Sequence, residues 1–119
     1  MQPPILIDYN GDLCIFRTVE SAQSYLEPED AAAPTTRIFD SEGRLLSGVH
    51  MPSDRWFDRT FGLPGRRICL VQVDETASHV EELREKLLRF LKYVGCTDEQ
   101  LQNASLSRLV ELSLPHASR

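Results

Sequence analysis

The sequence predicts an α+β domain: a mostly antiparallel sheet of about five strands, in the order β-β-α-β-β-loop-β-α-α, with helices packed on it. Three observations predict it. Two apolar runs flank Asn10-Gly11, the strongest short-range hairpin signal. A second pair of short apolar runs brackets Asp40-Ser41-Glu42-Gly43, which has the residues of a tight turn. Sustained helical periodicity then appears only after residue 78. A chain of 119 residues has the length of one domain, so 1–119 reads as a single unit, with 113–119 a loose tail.

The first hairpin is Ile5-Leu6-Ile7-Asp8-Tyr9 and Asp12-Leu13-Cys14-Ile15-Phe16. A two-residue Asn-Gly turn pairs Tyr9 with Asp12, Ile7 with Cys14, and Ile5 with Phe16. Because side chains alternate, Ile5, Ile7, Cys14 and Phe16 share a face that needs a cover. The cover is a helix over residues 19–26, capped by Thr18, with Val19, Ala22 and Leu26 at helical spacing and Glu27-Pro28 ending it. It is too short to stand alone, so sheet packing must hold it. Thr36-Arg37-Ile38-Phe39-Asp40 and Arg44-Leu45-Leu46 form the second hairpin, with Gly43 taking positive φ.

Residues 47–66 combine turn formers (Gly48, Pro52, Gly62, Pro64, Gly65) with large apolar side chains (Met51, Trp56, Phe57, Phe61, Leu63). So long a connection is unusual in a compact domain and is often functional. A short helix near 53–59, capped by Ser53, fits within it. Arg67-Ile68-Cys69-Leu70-Val71-Gln72-Val73 is apolar on both faces and predicts a central strand. Thr76 or Ser78 then caps the longest helix, with Glu81 completing a capping box on Ser78. Val80, Leu83, Leu87, Leu91 and Val94 form its apolar stripe, Glu82–Lys86 and Glu85–Arg89 are i,i+4 pairs on its wet side, and Gly95 is its C′ residue. Thr97 with Gln100 caps another turn. Ser105 starts a short helix through Leu106, Leu109, Val110 and Leu112, which Pro115 closes.

Composition narrows the function classes. The net charge is −5, with 18 acidic against 13 basic residues, the wrong sign for a general nucleic-acid binder. The imbalance is one-sided: residues 1–50 hold eight acids and three bases, while the rest balances. Such asymmetry marks a surface for a basic partner, or a solvated acidic face. No basic-then-apolar leader is seen at the N-terminus, and no apolar run approaches the ~20 residues of a membrane span. The three cysteines, Cys14, Cys69 and Cys96, are odd in number and widely spaced. They give little support to a disulfide or zinc framework; Cys14 and Cys69 read as small core side chains on strands, and a reducing cytoplasm fits.

Few residues suggest chemistry. His50, Asp54 and Asp58 are spaced i, i+4, i+8 and would stack on one helical face as a metal or acid–base cluster, but Pro52 argues against a helix reaching back to His50. His79 reads as a surface residue near the start of the long helix, and His116 falls in the tail. Glu27, Glu29 and Asp30 form an acidic knot after the first helix, where the helix dipole disfavours Glu27. Trp56 and Phe57, flanked by Arg55 and Arg59, suit a protein-binding hot spot, base stacking, or closure of one edge of the core. No phosphate loop, GxSxG or HExxH is present. No cofactor or metal is expected.

The stretches Phe16-Arg17-Thr18-Val19-Glu20-Ser21-Ala22-Gln23-Ser24-Tyr25-Leu26-Glu27-Pro28-Glu29-Asp30 and Phe39-Asp40-Ser41-Glu42-Gly43-Arg44-Leu45-Leu46 together resemble small bacterial proteins of the immunity type, found beside toxins delivered by contact-dependent or type VI secretion. The resemblance covers the first ~46 residues and, more loosely, the C-terminal helices, and 47–66 adds nothing to it. It implies a non-enzymatic cytoplasmic protein that binds and neutralises one cognate toxin, and it carries no catalytic residues. The expected partner is a basic toxin domain, met through Glu27, Glu29, Asp30, Asp40, Glu42, Arg55, Trp56 and Phe57. Nucleic acid and membrane are not expected as partners. A regulatory or adaptor protein using the 47–66 loop is the alternative, and a small enzyme using His50, Asp54 and Asp58 a third. A homodimer through a sheet edge or the Trp56 segment is also compatible with the pattern.

Overall fold

The computed structural model of the chain describes residues 1–26, 35–52, 66–73 and 77–117. Five strands, β1 (Ile5–Tyr9), β2 (Asp12–Phe16), β3 (Thr36–Phe39), β4 (Leu45–Pro52) and β5 (Arg66–Gln72), form one antiparallel sheet in the order β2-β1-β3-β4-β5. Among the described residues four helices accompany it: α1 (Val19–Tyr25), α2 (Val80–Tyr93), α3 (Asp98–Leu101) and α4 (Leu106–Ser113), the last running into a 3₁₀ turn at Leu114–His116. The α+β class and the antiparallel sheet are those the sequence predicts.

The first hairpin has the expected register, with Ile5 opposite Phe16, Ile7 opposite Cys14 and Tyr9 opposite Asp12. Asn10 and Gly11 both have positive φ, 50° and 104°, as a two-residue hairpin turn of this kind requires. One face of the sheet, with Ile5, Ile7, Phe16, Ile38, Leu46 and Leu70, packs against Ala22 and Leu26 at and just beyond α1. Thr18 caps that helix by accepting from the Ser21 amide at 3.1 Å. On the other face Leu6, Ile15 and Phe39 meet Leu83, Leu87 and Leu91 of α2 and Leu109 and Val110 of α4. The sheet is therefore the middle of three layers, with α1 on one side and the C-terminal helices on the other.

Several expectations are corrected. The second hairpin does not end at Leu46. β4 runs on to Pro52 and pairs with β5 from Leu46↔Gln72 to Pro52↔Arg66, so both ends of the predicted 47–66 loop, 47–52 and Arg66, are strand, and 53–65 lie outside the described residues. The turn formers concealed this, because Gly48 and Pro52 weaken strand propensity while leaving pairing possible next to a sheet edge. β5 is not central but an edge strand. Its apolar character has a different origin on each face: Leu70 is buried beneath α1, whereas Val71 on the opposite face is 42% exposed.

α2 begins at Val80 with His79 in the cap position, and no side-chain hydrogen bond caps it. The predicted Ser78–Glu81 box is replaced by a tertiary contact, in which the His79 amide donates to the Gly43 carbonyl at 3.0 Å. At its other end the expected Gly95 has φ 103°, and Gly95 N–H to Lys92 O (3.2 Å) with Cys96 N–H to Leu91 O (2.9 Å) complete a Schellman motif. Thr97 and Gln100 form the predicted capping box. The segment expected as a loose tail is held through Ala117. Ser113 is fully buried within α4, Arg17 donates to the Leu114 carbonyl at 3.0 Å, and the His116 ring stands edge-on to Phe90.

Candidate functional site

Two charged pairs fix α2 on the sheet. Asp8 on β1 and Arg37 on β3 are cross-strand partners on the face that α2 covers. Glu82 and Lys86 stand one helical turn apart above them. Arg37 binds Glu82 bidentately, Nε to Oε2 at 2.9 Å and Nη2 to Oε1 at 2.7 Å, and Lys86 pairs with Asp8. Asp8 is 6% exposed and also accepts from the Gly11 amide at 2.8 Å, so its buried charge is doubly compensated. The hydrogen bonds from Arg37 hold the Glu82 carboxyl below its ordinary range, against a smaller opposing effect of burial. The predicted Glu82–Lys86 pair is thus replaced by bonds from each side chain to the sheet. Among the described residues no Glu85–Arg89 ion pair forms.

Beside this network is a cleft of about 290 Å³ between the β1–β2 turn and α2. The turn contributes Asp8, Gly11, Asp12 and Leu13. The helix contributes Lys86, Arg89, Phe90 and Tyr93, which fall at i, i+3, i+4 and i+7 and so share one face. Tyr93 is 89% exposed at the margin.

A second feature lies at the opposite end of the sheet. The C-terminal helices cover β2, β1, β3 and Leu45 at the start of β4, and among the described residues nothing further along β4 and β5 packs into that core. Val49 (39% exposed), Val71 (42%) and Val73 (55%) emerge there, and the Val49↔Cys69 and Ser47↔Val71 pairings put the first two on one face. The edge itself is partly closed, because the Gln23 side chain of α1 accepts from the Leu70 amide at 3.0 Å.

The predicted site residues divide sharply. Glu42 is exposed and pairs with Arg44 at 2.6 Å. Asp40, expected to meet a partner, is instead fully buried. Its carboxylate accepts from the amides of Gln2 (3.1 Å), Glu42 (3.0 Å) and Arg44 (2.9 Å) and from the Arg44 guanidinium (3.2 Å). A carboxylate with four internal donors builds a turn and does not face outward. Glu27, Glu29, Asp30, Arg55, Trp56 and Phe57 lie outside the described residues, as do Asp54, Asp58 and the predicted 53–59 helix. His50 lies on strand β4 opposite Ile68, so it does not share a helical face with Asp54 and Asp58. Cys14 is half-buried, and burial raises its thiol pKa, with Asp12 adding to the effect and a Tyr25 hydrogen bond opposing it. His79, read as a surface residue, is partly buried with Nδ1 3.5 Å from Glu82. Among the described residues no three His, Cys, Asp or Glu side chains converge as metal ligands, and no helix is long and apolar enough to cross a membrane.

The cleft and the open valine face were both missed by sequence reasoning. The cleft is signalled only by the Lys86–Arg89–Phe90–Tyr93 spacing, and the valine face only by apolar residues on both faces of β5. Compared with models of known protein families, with curated proteins and with solved structures, the chain finds no match in any of the three.

Proposed function

We propose that the chain is a non-enzymatic binding protein of the immunity type, which occludes one basic bacterial toxin domain in the cytoplasm. The observation that carries this reading is the open face of the β4–β5 hairpin. Val49 and Val71 stand exposed on one face of the sheet with Val73 just beyond β5, and clustered exposed apolar side chains of this kind mark protein contact surfaces. The hairpin leads directly into residues 53–65, which carry Arg55, Trp56 and Phe57, the residue types that dominate interface energetics. The acidity of residues 1–50 supports a basic partner through long-range steering, which sets the encounter rate more than the final affinity. Asp8, Asp40 and Glu42 each have an ion-pair partner within the chain, so the steering rests chiefly on the other acids of this stretch, Asp12, Glu20, Glu27, Glu29 and Asp30.

The test is a growth assay in which the product of the adjacent gene is expressed with and without this chain. Toxicity relieved by the wild-type chain, and not by a Val49→Lys/Val71→Lys variant of equal abundance, supports the reading. A harmless neighbour, or a toxic one that the wild-type chain leaves toxic, counts against it.

A further inference from the structure

The cleft between the β1–β2 turn and α2 sits at the end of the sheet remote from the valine face, and the partner-binding reading leaves it unused. We propose that it binds a small zwitterion with an apolar side chain, the chemical class of the aliphatic and aromatic α-amino acids. The argument is one of charge accounting. Asp8 and Lys86 are bonded to each other, and Asp8 also accepts from the Gly11 amide. Two charged groups of opposite sign remain in the lining, Asp12 and Arg89, and neither has an ion-pair partner among the described residues. The other walls, Leu13, Phe90 and the Tyr93 ring, are apolar or aromatic.

A ligand with a single charge would pair with only one of the two free groups. A ligand with an ammonium for Asp12, a carboxylate for the planar fork of Arg89 and an apolar body for the rings satisfies all three. The cleft volume of about 290 Å³ lies at the lower limit of small-molecule sites, which matches a single amino acid rather than a nucleotide or peptide. Gly11 leaves the turn side open, since no atom lies within 4 Å of the position a Cβ would take there.

The proposal is independent of the partner and is tested on the purified full chain by two-dimensional NMR titration. The probes are L-phenylalanine, L-leucine, phenylacetate (no ammonium) and phenethylamine (no carboxylate). The expected result is saturable shifts at Gly11, Leu13, Phe90 and Tyr93 with both amino acids, and roughly tenfold or weaker binding of the two singly charged analogues. Arg89→Gln should weaken L-phenylalanine by about tenfold while leaving phenethylamine unchanged, and Asp12→Asn should weaken L-phenylalanine while sparing phenylacetate. Both positions are exposed, so circular dichroism should show each variant folded. No saturable shift in the cleft with either amino acid, or equal affinity for the singly charged analogues, would overturn the proposal.

Discussion

Asp40 and Gly43 show how much of this fold depends on single residues in one turn. The Asp40 carboxylate collects the amides of the β3–β4 turn together with the amide of Gln2, which joins the N-terminal arm to the sheet. Asp40→Ala leaves these donors unpaired in a buried setting, and urea denaturation should record a loss of about 2–4 kcal/mol. Glu42→Ala, two residues away on an exposed side chain, should cost no more than about 0.5 kcal/mol. Gly43 combines φ 87° with a close approach to α2, and a Cβ there would lie 2.8 Å from the Val80 Cα. Gly43→Ala should therefore cost on the order of 2 kcal/mol or more, because neither the turn nor the helix backbone can yield cheaply. The sequence revealed that Gly43 needed positive φ. It did not reveal that the same glycine is the seat of α2, since a contact between residues 43 and 80 leaves no local signature.

Among the elements, α2 is the one whose placement decides the rest. Its apolar stripe was legible because Leu83, Leu87 and Leu91 repeat at helical spacing, and all three are fully buried. Its polar side was misread for a physical reason. Charges at i and i+4 suit each other on an isolated helix, but here Glu82 and Lys86 find stronger partners in Arg37 and Asp8 on the sheet. The lowered pKa of Glu82 makes this pairing pH-dependent. A carboxyl whose folded pKa lies below its unfolded value stabilises the fold fully above the unfolded value and loses that contribution as pH falls through the folded one. The difference in stability between wild type and Glu82→Gln should thus be constant near neutrality and shrink below about pH 4.3. The pair is about one-third exposed, so the plateau difference should be on the order of 1 kcal/mol. β4 and β5 illustrate the opposite limit. Their pairing is held by backbone hydrogen bonds that side-chain identity barely encodes, so Gly48 and Pro52 read as a loop although the ladder continues through both.

On the scale of the whole molecule, the layers were legible and the surfaces were not. Each covering helix announces itself by a local period, and each covered strand by its apolar face. Where coverage stops is a property of the assembled sheet: among the described residues the core under the C-terminal helices takes in β2, β1, β3 and Leu45 and reaches no further along β4 and β5. Val71 and Val73, read as part of a central strand, and Val49, read as part of the 47–66 loop, therefore stand exposed in the fold. The same geometry removes Asp40 from the surface and leaves Glu42 on it. Isothermal titration of the purified product of the adjacent gene against the wild-type chain and Val71→Lys tests the binding account most directly. The account predicts saturable one-to-one binding by the wild type, weakened at least about 30-fold in a variant of unchanged thermal stability. Equal affinity of the two forms, or no binding by either, would contradict it.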